Sequence, residues 1–198
     1  MPPQGRADYA FFQHILASLN PGTGRCAILF PHGVLFRQDE QDMRARMIEA
    51  DVIEAVIGLG PNLFYNSPME ACVVVCRTRK PPQRWGKILF INALEEVTRE
   101  RAQSFLEREH IERIVGAYRA FEDVEGFARV AALDEIHAER DNLSIPLYIP
   151  PAVENGNGAN VKSLSAIIAD WEKSSRALRA SMEGLFSTLE NLSREQEK

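Results

Sequence analysis

Residues 25–36 read Arg25-Cys-Ala-Ile-Leu-Phe-Pro-His-Gly-Val-Leu-Phe36, residues 52–65 read Val52-Ile-Glu-Ala-Val-Ile-Gly-Leu-Gly-Pro-Asn-Leu-Phe-Tyr65, and residues 71–77 read Ala71-Cys-Val-Val-Val-Cys-Arg77. Each segment contains a nearly continuous apolar run, which is typical of a strand covered on both faces of an α/β sheet. Polar residues follow the strands, and open α/β sheets hold their ligands beyond strand ends. The sequence therefore predicts three strands of an α/β sheet with ligand-binding loops after them.

Further elements follow on both sides of these strands. Apolar residues at helical spacing predict helices over 7–19, 40–50 and 110–121. Shorter apolar runs predict strands over 87–92 and 127–133. Residues 94–108 are expected to form a charged, mostly exposed segment, and residues 142–149 are expected to be extended.

The composition is that of a soluble globular protein, with 198 residues, 45% hydrophobic and 26% charged. No apolar run approaches the length of a membrane span, and the N-terminus has no apolar signal region, so we expect a cytoplasmic location and no membrane partner. The three cysteines, Cys26, Cys72 and Cys76, lie within apolar strands. This placement favours reduced, buried thiols over disulfides, and no spacing of Cys and His predicts a metal site.

Basic residues are concentrated between the third and fourth predicted strands. The net charge of −5 argues against a chain that binds nucleic acid without a partner protein. Residues 77–87 nevertheless contain five cations and no acid, so this segment could contact DNA phosphates; alternatively it is a solvated hairpin connection. The five residues are Arg77, Arg79, Lys80, Arg84 and Lys87.

The loop after the second strand is the strongest candidate for a binding site. It reads Asn62-Leu-Phe-Tyr-Asn-Ser-Pro-Met69. Aromatic rings beside amide groups can stack on a nucleobase and hydrogen-bond to it. The structural alternative is that Leu63 and Phe64 cap the end of the sheet while Tyr65 lies on the surface. His32, just beyond the first strand, is a further site candidate; the commoner role of such a histidine is a hydrogen bond within its own loop.

The last forty residues have the clearest periodicity in the chain. Residues 154–160 predict a flexible linker, and the apolar positions beyond them alternate steps of three and four. A sustained 3.5-residue repeat predicts a helix whose apolar seam packs against another helix, in a partner or in this chain's own core. The seam consists of Leu164, Ile168, Trp171, Leu178, Met182, Leu185, Leu189 and Leu192.

Four segments together resemble one protein family. Ala7-Asp-Tyr-Ala-Phe-Phe-Gln-His14, Leu29-Phe-Pro-His-Gly-Val-Leu-Phe-Arg37, Glu54-Ala-Val-Ile-Gly-Leu59 with Asn62-Leu-Phe-Tyr65, and Asn142-Leu-Ser-Ile-Pro146 look like the modification (M) subunit of type I restriction–modification systems. The segments follow that family's order, and the resemblance covers about residues 2–150. By this resemblance the fold class is α/β: the second half of a Rossmann-like class I S-adenosylmethionine-dependent methyltransferase sheet, the region of strands 5–7, plus a long C-terminal helix.

The resemblance implies transfer of a methyl group from S-adenosylmethionine to the exocyclic amine of adenine in DNA. The family's glycine-rich cofactor motif and its Asn-Pro-Pro-Phe catalytic motif would precede residue 1, and neither occurs in this sequence. We therefore expect no catalytic residue, no bound S-adenosylmethionine and no activity for this chain alone. Asn62, Phe64 and Tyr65, with His32, would form the far wall of the target-base pocket. The family more often has Gly-Thr-Gly-Ile-Pro-Thr where this chain has Asn66-Ser-Pro-Met-Glu-Ala71.

The implied partners are the specificity (S) subunit, the restriction (R) subunit in the full complex, and DNA through that complex. The expected domains are a partial methyltransferase domain at 1–150, a linker at 151–160 and the heptad-patterned helix at 161–198. A half-sheet would leave the strand at residues 26–30 bare, so self-association through that strand or through the heptad-patterned tail is also expected. The alternative to a methyltransferase fragment is a non-catalytic α/β interaction module that docks a partner through its C-terminal helix.

Overall fold

The structure, a computed structural model, describes residues 7–65, 67–101 and 103–150, and in the tail residues 168, 171–176, 178–179 and 181–182. The chain divides into two compact units, Met1–Ala152 and Val153–Lys198. The helices and strands of the first unit are α1 (Asp8–Ala17), β1 (Arg25–Pro31), α2 (Gln41–Glu49), β2 (Ile53–Leu59), β3 (Ala71–Arg77), β4 (Lys87–Ala93), β5 (Thr98–Glu100), β6 (Gln103–Phe105), α3 (Arg108–Ala120), β7 (Ala128–Ala132), α4 (Leu133–Ala138) and α5 (Ile145–Tyr148).

Five strands form the central sheet in the order β1-β3-β2-β4-β7. β3 is antiparallel to both of its neighbours, whereas β2 and β4 are parallel. β1, β2 and β4 therefore run in the same direction, and their last residues lie at the same end of the sheet. We call this end the carboxyl end of the sheet and the opposite end its amino end.

The strands differ in how much of their surface is covered. All seven residues of β2 are buried, as the continuous apolar run predicts. β1 is an edge strand of the described sheet. Its residues alternate between exposed and half-buried up to Phe30, which is buried. The expectation of a strand covered on both faces is therefore wrong for β1, where Leu29 is 46% exposed.

Each face of the sheet has its own hydrophobic core. The first face is covered by α1, α2, α4 and α5, with Phe12, Met47, Ile136 and Tyr148 among its buried residues. The second face is covered by α3, whose Ile114 packs with residues of β2 and β4. Among the described residues, no helix combines the length and the apolarity needed to cross a membrane.

Three segments differ from the sequence expectation, and one of them is helix α4 (Leu133–Ala138), which the sequence does not predict. Residues 94–108 contain a two-stranded hairpin formed by β5 and β6, and residues 142–149 contain the single-turn helix α5 rather than extended chain. A four-residue helix is too short to show helical periodicity. Its position is fixed by distant contacts, since the Leu143 N–H donates to the Leu35 carbonyl at 2.9 Å and the Tyr148 ring stacks on Phe90 at 3.9 Å between centroids.

Candidate functional site

The carboxyl end of the sheet carries the loop of residues 60–70, which we call the aromatic loop. Asn62 has a positive φ of 61°, and its carbonyl accepts a hydrogen bond of 2.9 Å from the Ser104 N–H of β6. Asparagine is one of the few residues that adopt this left-handed conformation readily. The turn at Asn62 and the β5–β6 hairpin therefore hold the start of the aromatic loop against the sheet.

The side chains of the aromatic loop divide into a buried and an exposed group. Leu63 packs against the core of the second face, while Phe64 is 37% and Tyr65 is 84% exposed. Leu63 is partly buried at the end of the sheet and Tyr65 lies on the surface, as the structural alternative expects, whereas Phe64, which it also expects to cap the sheet, is partly exposed. Tyr65 lies on the surface beside the half-exposed Phe64, so two aromatic rings are accessible to a flat ligand at this end of the sheet.

His32 lies at the same end and is held by the opposite side of the loop. Its Nε2 is 2.8 Å from the Ala71 carbonyl, and its Nδ1 is 3.6 Å from a carboxylate oxygen of Glu70. Because a carbonyl only accepts, Nε2 carries the hydrogen of this bond, and Nδ1 faces the carboxylate. His32 therefore bonds Ala71, the first residue of β3 after the aromatic loop, and not its own loop.

The glycines of Gly58-Leu-Gly60 do not form a phosphate-binding loop. A Cβ on Gly58 would lie 2.7 Å from the Ile145 side chain, and a Cβ on Gly60 would lie 2.5 Å from the Leu94 carbonyl. Both positions are closed by the protein itself, so these glycines permit close packing and leave no room for a cofactor. The sequence also departs from a dinucleotide fingerprint, because Pro61 and Leu63 stand where that motif has its helix opening and third glycine.

The five predicted phosphate-contacting residues lie at the amino end of the sheet, which a seven-residue strand places about 20 Å from the aromatic loop. Three of the five are engaged inside the protein. Arg77 and Arg84 each lie within 3.4 Å of Glu54. Lys80 is 4% exposed and donates to Asp51 at 2.5 Å and to the Lys87 carbonyl at 2.7 Å. The loop is thus not a simple solvated connection.

Glu54 is the residue that sequence reasoning missed. Its carboxylate is fully buried and accepts hydrogen bonds from Arg77, Arg84 and the Tyr118 hydroxyl, the last at 2.6 Å. Burial and this hydrogen bond raise the pKa of Tyr118. The sequence contains a signal for these ion pairs, since Glu54 is an acid within an otherwise apolar strand and residues 77–87 contain cations but no acid. We call Glu54, Arg77, Arg84 and Tyr118 the Glu54 cluster.

Burial also lowers the pKa of Lys80, against the opposing effect of Asp51. Arg79 and Lys87 have exposed side chains. Of the five residues, the structure thus leaves these two facing solvent. Among the described residues, no group of three or more His, Cys, Asp or Glu side chains could hold a metal ion.

A groove of about 380 Å³ lies beside β1 on the second face of the sheet. Apolar side chains of three elements line much of it: Ala27 of β1, Val73 and Val75 of β3, and Ile114 and Val115 of α3. Together with the exposed Leu29, it gives the outermost strand an apolar surface.

The described residues of the tail are helical. Four of the predicted seam residues fall among them, and all four are largely exposed within the described structure: Ile168, Trp171, Leu178 and Met182. Leu164, Leu185, Leu189 and Leu192 lie outside the described residues, as does the predicted linker at 151–160.

The mixed α/β fold agrees with what comparisons with known proteins find. The sequence profile of the N-6 DNA methylase family matches residues 1–156. The chain is 40% identical over 157 residues to the type I restriction enzyme MjaVII methylase subunit of Methanocaldococcus jannaschii, and 28% identical over 192 residues to the HindI methylase subunit of Haemophilus influenzae. These matches cover 77% and 90% of this chain, but the chain spans only 27% and 43% of the two relatives' lengths.

Solved structures agree with these relatives. The type I restriction–modification methyltransferase subunit from Streptococcus thermophilus superposes with a TM-score of 0.70 at 35% identity, covering 74% of this chain and 31% of that one. The EcoKI M protein gives a TM-score of 0.60 at 16% identity over 73% of this chain and 38% of its own, a likeness of fold alone. This chain belongs to the N-6 DNA methylase family, and the resemblance to type I modification subunits is confirmed.

Proposed function

We propose that this chain is the C-terminal part of a type I M subunit whose complete form methylates the exocyclic amine of adenine in DNA. The observation that carries the proposal is the reversed strand β3 between β1 and β2. The resemblance expects a fifth and a sixth strand accompanied by an antiparallel seventh. On this proposal β1, β2 and β3 would take these roles, which is supported by β3 running antiparallel to both β1 and β2. On this proposal the helix 161–198 and the linker before it follow a partial methyltransferase domain.

S-adenosylmethionine would supply the methyl group, and the residues that hold it would lie on another part of the complete protein. The role proposed for this chain is to form one wall of the target-base pocket. Phe64 and Tyr65 are exposed rings that can stack on an extruded adenine. Asn62 shapes the turn that presents them, and His32 fixes the end of the loop through Ala71.

Fewer residues of the basic segment would contact DNA than the sequence predicts. Arg77, Lys80 and Arg84 are engaged by internal carboxylates, so Arg79 and Lys87 would carry any phosphate contact. Both lie at the amino end of the sheet, and DNA bound there would be distant from the aromatic loop. Base reading would be left to the S subunit, in line with the acidic net charge.

The C-terminal tail would bind the S subunit within the restriction–modification complex. Its exposed apolar residues, with Trp171 at 69% and Leu178 at 63% exposed, favour packing against a helix of the S subunit. The R subunit would then bind as part of the full restriction–modification complex.

Replacing the two exposed aromatic residues tests the pocket. In the complete M subunit assembled with its S subunit, Phe64→Ala and Tyr65→Ala are each expected to lower the rate of methyl transfer about 10- to 100-fold, because stacking on a base contributes about 1–3 kcal/mol. The measurement is transfer of a labelled methyl group to duplex DNA that contains the recognition site. Phe105→Ala is the control, since Phe105 is a similarly exposed ring (47%) on the β5–β6 hairpin.

An unchanged rate in the Phe64→Ala/Tyr65→Ala double variant would show that the aromatic loop is not part of the target-base pocket. The proposal that the complete protein methylates adenine would not be affected. Absence of adenine methylation by the unsubstituted complex would instead overturn the proposed function itself.

Self-association of the isolated chain is a further expected result. In an antiparallel pair, every second residue of a strand directs its N–H and C=O groups toward the partner strand, and the residues between them direct theirs away from it. The even-numbered residues of β1 bond to β3, so Ala27 and Leu29 direct their N–H and C=O groups away from the sheet. Leu29→Lys places a charge on this strand, a device that natural proteins use to block edge pairing. Light scattering at high concentration should show oligomers that this variant reduces, whereas Leu147→Lys, at an equally exposed leucine (46%) of α5, should leave them unchanged. A monodisperse monomer of the unsubstituted chain would contradict the expectation.

A further inference from the structure

Cys26 and Cys76 lie directly opposite each other in the β1–β3 ladder. Cys26 is half-buried on the outermost strand, Cys76 is fully buried, and both are free thiols. Facing residues of an antiparallel pair direct their side chains to the same face of the sheet. The two sulfur atoms therefore belong to one local site, whereas the third cysteine, Cys72, faces Phe30.

The hydrogen-bond register fixes the backbone geometry of this pair. The Thr78 N–H donates to the Gly24 carbonyl at 3.0 Å, so the facing residues Gly24 and Thr78 form a hydrogen-bonded pair. Such pairs recur at every second position, which makes Cys26 and Cys76 another one. Their Cα atoms are then about 5.5 Å apart, within the range of roughly 4.4–6.8 Å that a disulfide spans. The Cβ atoms of a hydrogen-bonded pair lie about 5.5 Å apart and must come within about 4.5 Å for a disulfide, so a shift of the outermost strand by about 1 Å is needed to join them.

The two thiols also interact before any bond forms. A hydrogen bond from Cys76 lowers the pKa of Cys26 to about 7, while that bond and burial raise the pKa of Cys76. The lowered pKa therefore increases the thiolate fraction of Cys26 near neutral pH, while Cys76 keeps its proton. Cys26 is also the less buried of the two, so it is the sulfur that an oxidant reaches first.

We propose that Cys26 and Cys76 form an oxidisable dithiol site that hydrogen peroxide converts to a cross-strand disulfide. This inference concerns the β1–β3 pair itself and does not depend on the proposed function. The disulfide would join the outermost strand covalently to its single neighbour in the described sheet.

The reaction has two steps and needs only a peroxide as oxidant. The Cys26 thiolate attacks one peroxide oxygen, the O–O bond breaks, hydroxide leaves, and Cys26 becomes a sulfenic acid. The Cys76 sulfur then attacks the Cys26 sulfur, the S–S bond forms as the S–O bond breaks, and the departing hydroxyl leaves as water with the Cys76 proton. Two thiols are oxidised by two electrons, and one peroxide is reduced to two waters.

Mass spectrometry after peroxide treatment tests the site. Trypsin releases residues 26–37 as one peptide and residues 47–77, which contain both other cysteines, as another. We expect the treated 198-residue chain to lose two hydrogen atoms and to yield these two peptides joined by a reducible bond. The same crosslink should form in Cys72→Ser, and it should be absent in Cys76→Ser and in Cys26→Ser, the variant at the less buried position.

A second measurement needs no variant. Iodoacetamide should label Cys26 before Cys72 and Cys76 at pH 7, with the labelling rate half-maximal near that pH, because the thiolate is the reactive form. Burial raises the pKa of Cys72 to about 12, so Cys72 serves as the internal reference. Persistence of three free thiols after peroxide, over-oxidation of Cys26 without a crosslink, or a crosslink lost in Cys72→Ser would each overturn the proposal.

Discussion

Replacing Glu54 by alanine is expected to lower the free energy of unfolding by about 3–5 kcal/mol, because it leaves buried positive charge without its partner. Glu54 is 0% exposed, and Arg84 and Arg77 keep only 17% and 28% of their side-chain surface. The variant would also remove the acceptor of the Tyr118 hydroxyl, which joins α3 to β2. Urea unfolding of the 198-residue chain, followed by circular dichroism, gives the change directly.

An exposed ion pair of the same chemistry provides the control. Arg108 and Glu112 of α3 lie 2.8 Å apart with 91% and 65% of their side chains exposed, so Glu112→Ala should cost no more than about 0.5 kcal/mol. Glu54→Gln should fall between the two, because it keeps the shape and the acceptor but not the charge. If Glu54→Ala proved as mild as Glu112→Ala, the Glu54 cluster would not stabilise the amino end of the sheet.

Phe90→Ala is expected to lower the free energy of unfolding by about 3–5 kcal/mol through the cavity that it opens. Phe90 lies in the middle of β4, is 0% exposed, and stacks on Tyr148 at 3.9 Å between ring centroids. The loss of the ring would leave α5 without its main contact to the sheet. Chemical unfolding should show a lower midpoint, and near-ultraviolet circular dichroism should show the loss of the packed tyrosine.

Phe11→Ala is the matched control for this core substitution. Phe11 lies on α1 and is 65% exposed, so the same change of side chain should alter the free energy of unfolding by less than about 0.5 kcal/mol. Equal effects at the two positions would mean that α5 does not pack on β4 as described.

Much of the sheet could be predicted because strand formation here is driven by local apolar sequence. β2 and β3 begin within one residue of the starts of the apolar runs at Val52 and Ala71. Met43 and Met47 at one helical face of α2 are both buried, 7% exposed each. Such features depend on residues that are neighbours in sequence, and side-chain periodicity reports them directly.

The remainder depends on contacts between residues that are distant in sequence. α5 folds because Leu143 is bound to Leu35 and Tyr148 to Phe90, and no local pattern reports these partners. The Glu54 cluster likewise joins residues from β2, the basic segment and α3. Charge counting along the sequence shows cations in excess but not which of them already have a carboxylate.

The position of the candidate residues beyond a strand could be predicted from the sequence, but their arrangement could not. Phe64 and Tyr65 follow the apolar run that forms β2, so their place in a loop is a local property of the sequence. The residue pattern alone could not show that the basic segment lies at the opposite end of the sheet, since this follows from the antiparallel direction of β3. It also could not show which carbonyl His32 binds.

The reversal of β3 has a consequence for the order of assembly. β1 is hydrogen-bonded to β3 and to no other strand of the described sheet, although β1 precedes β3 by some forty residues. β2 and β3 can close as a local hairpin, whose short loop costs less entropy than the longer loop between β1 and β3. β1, the first strand of the described chain, can therefore join the sheet only after β3 has formed, because β3 provides the edge to which β1 hydrogen-bonds.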